Sequence, residues 1–386
     1  MSTASLFTTE EALIPLCSFA RGAGRSCLNR SGLSNPSLSE QNRVTFNPHN
    51  ILIIDFGQLG DVVMSLPALR AIRARFSHAR ITVIVGRPGA EIIDMSGYAD
   101  ATIEVDRVEL RDGFKPLSIL RIFQVVKDVR RRNFDFVIDL HSFSETNLLG
   151  YFSGAPKRLF SRRPGRSLDF LANFKPKPAV DKNDPGQHLI DRYLDVLVPL
   201  GIKDQPRVPR LATRAEDGRS IDRMLRKAKA DIGAPLVGLF PGAGHPGRCW
   251  PLEQFAELAD FLIRNDGVRP IIFVGPEERH LAPQMRALFP ATCVVLEKLS
   301  IPQLAAAQAR LAVFVSNDTG PVHIAAAVGT PIVVLIDLPR PHAYVPTGAS
   351  QRLIFSESIA RIDVEQVYAA TRELLGAGRT ETLFAS

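Results

Sequence analysis

The feature that most constrains the fold of this chain is a repeated alternation of short apolar runs with stretches of helical periodicity. In the first half, apolar runs that predict strands occupy residues 51–55, 81–85, 102–105 and 136–140. Between the first two runs, Leu66, Leu69, Ile72 and Phe76 recur at helical spacing. Short apolar strands that alternate with helices predict a parallel sheet covered by helices on both faces.

The second half repeats this alternation, with strands predicted at residues 236–240, 270–274, 293–296, 311–315 and 332–336. Residues 203–217 between the halves are polar and contain two prolines, which is typical of an interdomain linker. The sequence therefore predicts an α/β protein with two doubly wound domains at 51–205 and 218–350, and a closing helix and tail over 351–386. Residues 1–50 are rich in Ser, Asn, Gly and Arg without sustained periodicity, which predicts a disordered N-terminal extension.

Composition predicts a soluble cytoplasmic protein. Hydrophobic residues make up 45% of the chain and charged residues 23%, and no apolar run approaches the ~18–20 residues of a membrane span. Glu10 and Glu11 precede a short apolar run where an export signal would be positively charged. The four cysteines lack metal or redox spacing. We therefore expect no metal, no other cofactor and no disulfide framework.

The most specific motif is the octapeptide at residues 316–323, SNDTGPVH, followed by AAAVGTP at residues 325–331. An apolar strand precedes it and an Ala-rich helix follows, with Pro321 near the first helical position. Free backbone N–H groups and the positive end of the helix dipole converge at such a turn, so that it binds anions, most often phosphate. An ordinary capped turn between strand and helix has the same local pattern, and the turn type alone leaves both interpretations open.

Two further motifs precede this one in the chain. The first strand runs into a Gly60-Asp61 turn, and residues 237–243 lead to Arg248-Cys249-Trp250-Pro251. Together the three motifs resemble glycosyltransferase family 9, the ADP-heptose:lipopolysaccharide heptosyltransferase family. The resemblance implies the GT-B architecture, in which two Rossmann-like domains face each other across a cleft with the active site between the carboxyl ends of their sheets. It also implies an inverting, metal-independent transfer of a sugar, foremost heptose from ADP-heptose, to a lipopolysaccharide-core acceptor.

The resemblance assigns roles to two candidate catalytic residues. Asp61 matches the family's proposed general base, although an aspartate at a strand-to-helix turn also suits a helix cap. Arg248 occupies the position where the family usually has lysine, and either cation can neutralise charge on a departing nucleoside diphosphate.

The candidate donor site belongs to the second domain. Polar contacts to the nucleotide-sugar would come from the octapeptide, backbone N–H groups from the turn after residue 240, ribose contacts from one of two acids, and an apolar contact to adenine from one leucine. These candidates are Asp318, Thr319, Gly320 and His323; Gly242, Ala243 and Gly244; Glu277 and Glu278; and Leu299. From the residues alone, His323 also suits a buried histidine bonded to backbone, and the two glutamates suit an acidic first helical turn.

The net charge of +7 is concentrated in the first half of the chain, where residues 107–132 and 151–182 carry surpluses of five and six positive charges. The resemblance implies that Arg162, Arg163 and Arg166 bind an anionic glycolipid acceptor and that the protein contacts the cytoplasmic face of the inner membrane. A solvated basic surface would have the same composition.

The motifs also bear on other functions of α/β proteins. The first strand is not followed by the G-x-G-x-x-G of dehydrogenases, and no G-x-x-x-x-G-K-[ST] occurs. A nucleotide-sugar epimerase of the same architecture and a non-catalytic binder of nucleic acid or lipid surfaces remain as alternatives. The basic segments lack interleaved aromatic residues for base stacking, so no nucleic-acid partner is expected.

Overall fold

The computed structural model describes residues 46–106, 116–178, 186–228, 233–338, 342–348 and 350–384. Residues 1–45 of the predicted N-terminal extension lie outside the described residues. The first strand begins at Asn50.

The first domain is built on a five-stranded parallel sheet. Its strands are β1 (Asn50–Asp55), β2 (Arg80–Gly86), β3 (Ala101–Val105), β4 (Phe136–Asp139) and β5 (Lys157–Phe160), in the order β3-β2-β1-β4-β5. The four strands predicted from apolar runs are confirmed. The prediction did not include β5, a four-residue edge strand whose first half is exposed or partly exposed.

The second domain contains a six-stranded parallel sheet. Its strands are β6 (Leu236–Phe240), β7 (Arg269–Val274), β8 (Val294–Glu297), β9 (Val313–Asn317), β10 (Ile332–Asp337) and β11 (Gln351–Ser356), in the order β11-β10-β9-β6-β7-β8. The structure differs from the sequence prediction after residue 350, because residues 351–356 pair with β10 and belong to this sheet. Most of β11 is only partly buried, so it lacks the continuous apolar run of an inner strand.

Helices cover both sheets. They are α1 (Leu59–Arg75), α2 (Arg87–Ser96), α3 (Pro116–Arg131), α4 (Ser144–Phe152), α5 (Leu189–Asp195), α6 (Ala215–Lys227), α7 (Leu252–Asp266), α8 (Ala282–Leu288), α9 (Ile301–Gln308), α10 (Gly320–Ala327) and α11 (Val364–Phe384). Within the described ranges, none of them is long and apolar enough to cross a membrane.

Each sheet has one point where the strand order reverses direction. In the first sheet this point lies between β1 and β4, and in the second it lies between β6 and β9. Helices that leave neighbouring strands on opposite sides open a crevice at the carboxyl ends of those strands, which is where open α/β sheets bind ligands. Both crevices coincide with the sequence motifs, because Asp61 follows β1 and Thr319 follows β9.

The two domains pack against each other through α1 and α10. A Cβ atom added at Gly60 would lie 2.8 Å from Cδ2 of His323, and one added at Gly320 would lie 3.1 Å from Cδ2 of Leu59. Ile324 and Ala327 of α10 belong to the same buried cluster as the residues that cover the first sheet. The beginnings of these two helices therefore meet, and glycine at positions 60 and 320 permits the close approach.

Candidate active site

Asp61 lies in the first turn of α1, at the crevice of the first sheet. Its Oδ2 accepts a hydrogen bond from the backbone N–H of Gln58 at 3.0 Å, the reciprocal arrangement of a capping box. The side chain is partly exposed. Asp61 is therefore the third residue of the helix, after Gln58 at the cap position, and this contact fixes one oxygen of its carboxylate.

Asp55 and His141 form a second group beside Asp61, buried at Asp55 and partly buried at His141, that the sequence did not indicate. Asp55 ends β1 and is fully buried, and its Oδ1 accepts from the N–H of Gly57 at 3.1 Å. His141 follows β4, and its Nδ1 lies 3.7 Å from the same oxygen. A Cβ at Gly57 would lie 2.5 Å from Cβ of Asp61, so glycine is required where the turn brings Asp55 and Asp61 together.

Asp139, the last residue of β4, holds the loop that carries His141. Its Oδ1 accepts from the N–H groups of His141 and Ser142 at 2.9 and 2.7 Å, and its Oδ2 accepts from Asn147 Nδ2 at 2.8 Å. Complete burial raises the pKa of Asp139 to about 6 even though these hydrogen bonds act to lower it. The loop is therefore positioned by a carboxyl group whose pKa is about 6.

Tyr193 of α5 is buried near the same crevice, and its pKa is affected by charges from several elements. Burial raises the pKa of Tyr193 well above its ordinary value, and the carboxylates of Asp55 and Asp61 raise it further. Arg163 lowers that pKa, and Tyr344 of the second domain raises it. Charged and titratable groups of both domains thus act on one buried phenol, and the candidate base is among them.

The three arginines predicted to bind the acceptor occupy different environments. Arg163 is partly buried, donates from Nη2 to the carbonyl of His141 at 3.1 Å, and stacks 4.1 Å from the ring centroid of Phe143. Arg162 and Arg166 are exposed. The carbonyl of Arg166 accepts from the N–H of Ser144 at 2.8 Å, which ties this loop to the beginning of α4. Of the three, Arg163 is the arginine with a fixed guanidinium at the crevice.

In the second domain, Asn317 connects the two candidate donor loops. This fully buried side chain donates from Nδ2 to the carbonyls of Pro241 and Gly242 at 2.8 and 3.1 Å, and its Oδ1 accepts from the N–H of Trp250 at 3.0 Å. The octapeptide sequence does not predict these contacts of Asn317, because the partners are about 70 residues away in the chain. Its amide sets the position of the turn at 242–244 relative to residues 318–320.

Arg248 ends a short 3-10 turn at Pro246–Arg248 and is exposed. Its N–H donates to the carbonyl of His245 at 3.0 Å. Within the described ranges its guanidinium has no ion-pair partner, whereas Trp250 two residues later is buried and fixed by Asn317. The backbone at Arg248 is therefore held while its side chain is exposed to solvent.

The structure separates the two candidate acids after β7. Glu277 is exposed, whereas Glu278 is buried and lies against both Gly242 and Gly275, so that a Cβ at either glycine would clash with its carboxylate. Burial raises the pKa of Glu278, and the neighbouring Glu277 adds to this effect. Glu278 is therefore the acid that packs beneath the 242–244 turn. Leu299 lies two residues beyond β8, partly buried against the core.

The octapeptide forms the predicted strand, turn and helix. Thr319 occupies the cap position of α10 and Pro321 its second residue, while the side chain of Asp318 is partly exposed. His323 is buried, and its ring lies against Gly60 of the first domain. Among the described residues, no group of three or more His, Cys, Asp or Glu could hold a metal ion.

Comparison with known proteins agrees with this geometry. Residues 122–370, more than half of the chain, match the sequence model of glycosyltransferase family 9 (heptosyltransferase). The chain belongs to glycosyltransferase family 9. Membership in this family favours a glycosyltransferase over the epimerase and the non-catalytic binder that the sequence left open.

Two kinds of relatives support the family 9 assignment. The chain is 26% identical to lipopolysaccharide heptosyltransferase 2 of Salmonella typhimurium over 317 residues, which cover 79% of this chain and 87% of that protein. Among solved structures, a family 9 glycosyl transferase of Veillonella parvula has a TM-score of 0.75 at 24% identity, covering 85% of this chain and 97% of that one. ADP-heptose lipopolysaccharide heptosyltransferase II of Escherichia coli has a TM-score of 0.71 at 22% identity, covering 86% and 99%. The fold they share is the GT-B architecture.

Proposed function

We propose that this family 9 glycosyltransferase transfers heptose from ADP-heptose to an acceptor of the lipopolysaccharide-core type. Relatives with the same fold have ADP-heptose and lipopolysaccharide in their names. The observation that carries the proposal is the contact between Gly60 and His323, which brings the turn after β1 next to the turn after β9. A base in one domain and an anion-binding turn in the other then act on the same sugar.

The proposed reaction is a single displacement with inversion. Asp61 removes the proton of an acceptor hydroxyl while that oxygen attacks the anomeric carbon of heptose. The bond between the anomeric carbon and the diphosphate oxygen breaks, and ADP leaves with the bonding electron pair. The contact from Gln58 N–H supports this role, because it fixes the carboxylate without neutralising its charge.

The donor site in this proposal is built from the second domain. Backbone N–H groups of Thr319 and Gly320, at the positive end of α10, receive the diphosphate. Glu278 accepts hydrogen bonds from the ribose hydroxyls, and its burial favours it over Glu277 for this role. Leu299 lies along the adenine. The 242–244 turn supplies N–H groups, since Gly242, Ala243 and Gly244 carry no polar side chain.

Charge on the departing ADP is neutralised by Arg248 in this proposal. Its side chain is exposed, so it is available to a diphosphate. A cationic side chain in this role takes the part that a divalent metal has in other nucleotide-sugar enzymes. We therefore expect transfer to be independent of metal and to persist in EDTA.

The acceptor would bind in the first domain, with Arg163 as its principal anion contact and Arg162 and Arg166 at the rim. The stacked guanidinium of Arg163 and the buried phenol of Tyr193 favour this side of the crevice. An acceptor anchored in the inner membrane would bring the protein to the cytoplasmic face of that membrane as a peripheral protein.

A panel of ADP-, UDP- and GDP-linked sugars tests the donor assignment by thermal shift. A ligand at 100 times its Kd stabilises the folded state by ~2.7 kcal/mol. We expect a clear rise in Tm with ADP-heptose, with or without EDTA, and little change with the uridine and guanosine compounds. A rise only with UDP- or GDP-sugars, or only with added divalent metal, would contradict the proposal.

A further inference from the structure

One surface of the first domain exposes large apolar side chains that the proposed reaction does not use. Leu120 and Phe123 of α3 are 59% and 72% exposed, Tyr151 and Phe152 of α4 are each 45% exposed, and Phe170 in the 3-10 turn Asp169–Leu171 is 72% exposed. We call these five residues the apolar patch. Large exposed apolar surfaces mark interaction sites in soluble proteins.

The elements of the apolar patch belong to one layer on one face of the first sheet. The inward sides of α3, α4 and the segment after β5 share a single buried core, with Val129, Leu149 and Ala172 packed over Leu52 and Val137. Because their inward sides share this core, the three elements cover the same face of the sheet and their outward sides point to solvent on that side.

Direct contacts join the three elements. The guanidinium of Arg158 lies 5.3 Å from the ring centroid of Tyr151, and its Nε donates to the carbonyl of Leu171 at 3.0 Å. Arg130 of α3 approaches Gly154, just after α4. Tyr151 and Phe152 pack edge to face at 5.5 Å. Contacts between these elements therefore hold the segments that carry the apolar patch in place.

The outward stripe of α3 changes from apolar to basic along the helix. Leu120, Phe123, Lys127 and Arg131 follow one another at helical spacing, on the side opposite the buried Val129. All four are exposed. An amphipathic helix with aromatic and aliphatic side chains beside lysine and arginine is typical of surfaces that lie in a membrane interface.

The positive charge around the apolar patch indicates what kind of partner binds there. Between residues 116 and 178 there are twelve lysines and arginines against five aspartates and glutamates, a surplus of seven that equals the net charge of the whole chain. Exposed basic residues border the patch at Lys127, Arg130, Arg131 and Lys157. Apolar side chains surrounded by cations match the chemistry of an anionic lipid bilayer, which offers headgroup phosphates above hydrocarbon.

We propose that the apolar patch and its basic border dock on an anionic lipid bilayer. Leu120, Phe123 and Phe170 enter the boundary between headgroups and acyl chains, and the bordering lysines and arginines contact headgroup phosphates. The purpose of this docking rests on the proposed function. The carbonyl of Arg166 is hydrogen-bonded to the beginning of α4, which also carries part of the apolar patch. An acceptor anchored in the bilayer would therefore lie beside the acceptor residues. The lipid contact itself is independent of sugar transfer.

Co-sedimentation of the full chain with vesicles tests the proposal. Vesicles of phosphatidylcholine alone are compared with vesicles that contain about one-third phosphatidylglycerol, at low and high salt. Two variants alter the surface: Leu120→Ser/Phe123→Ser, and Lys127→Glu/Arg130→Glu/Arg131→Glu. Matched controls in the second domain are Leu288→Ser, an exposed leucine at the end of α8, and Arg219→Glu/Arg223→Glu/Lys227→Glu on the exposed side of α6.

We expect the parent protein and both controls to bind the anionic vesicles and to bind phosphatidylcholine at least about tenfold more weakly. The charge variant loses about tenfold or more at low salt and less at high salt, because exposed charges are screened. The apolar variant loses about tenfold at both salt concentrations. Unchanged Tm values and retained transfer to a water-soluble acceptor fragment show that the variants fold and that the reaction is intact.

Three results would overturn the docking proposal. The parent could fail to distinguish the two vesicles, the variants could bind as the parent does, or the patch substitutions could convert a dimer to a monomer without changing lipid binding. The last result would assign the patch to contact between two copies of this chain. If the parent itself did not transfer heptose to the soluble fragment, the proposed function would be refuted. The lipid measurement would remain valid.

Discussion

At the scale of single residues, Asp139 makes the free energy of unfolding depend on pH. Its folded pKa of about 6 lies above the unfolded value of 3.8, so the folded chain holds this proton more tightly than the unfolded chain. The stabilisation from this group is fully present below pH ~4 and is lost as the pH rises through ~6, a difference of ~3 kcal/mol at 1.36 kcal/mol per pKa unit.

We predict that the unfolding free energy of the parent, measured relative to Asp139→Asn, falls as the pH rises from about 4.5 to about 7. Urea unfolding at several pH values provides the measurement. The substitution keeps an oxygen for the N–H groups of His141 and Ser142. A difference between the two proteins that is constant with pH would show that Asp139 does not titrate in this range.

Some residues of the site could be predicted from contiguous motifs, whereas others depend on contacts between distant parts of the chain. Asp61 and Thr319 stand in contiguous motifs next to strands, so their positions could be predicted. Asp55 and His141 lie in no recognisable motif and are 86 residues apart in the chain. Asn317 does lie in the octapeptide, but its partners are about 70 residues away, so the motif gave no indication of its contacts. One rule could have identified Asp55 and His141, because both lie at the carboxyl ends of strands that flank the reversal of strand order.

At the scale of elements, the turn after β6 and the turn after β7 form one unit through Glu278. Gly242 and Gly275 leave the space that its carboxylate occupies. We predict that Gly242→Ala displaces this flexible side chain, changes stability little, and weakens ADP-heptose binding roughly tenfold or more through loss of a charged hydrogen bond. Isothermal titration calorimetry measures the affinity.

Gly244→Ala is the matched control, since a Cβ there would meet no heavy atom within 4 Å. The double variant Gly242→Ala/Glu278→Ala should bind no more weakly than Glu278→Ala alone, because both changes remove the same contact. Additive losses would mean that Gly242 acts on the donor by another route.

Elements differed in how well the sequence predicted them, for a physical reason. Inner strands such as β1 and β9 are buried on both faces and leave continuous apolar runs. Edge strands β5 and β11 are partly exposed, so their runs contain charged residues and were not predicted. The packing of α10 against α1 depends on glycines whose role appears only when the domains are assembled.

At the scale of the whole molecule, the two domains contribute different halves of the proposed reaction. The carboxyl ends of both sheets open towards the place where α1 meets α10. Asp61, Arg163 and Tyr193 lie on one side, and Glu278 and Thr319 on the other. Loss of the base should therefore impair transfer without impairing donor binding.

The most direct test of this account is the rate of heptose transfer by Asp61→Asn, measured together with its affinity for ADP-heptose. Asparagine retains an oxygen that can accept from Gln58 N–H, so the start of α1 is preserved while the basic carboxylate is removed. We predict a fall in kcat of about 10²–10⁴-fold, the usual contribution of a general base, with an unchanged Kd for the donor. Transfer within about threefold of the parent would contradict the assignment of Asp61 as the base and leave it as a helix-capping residue.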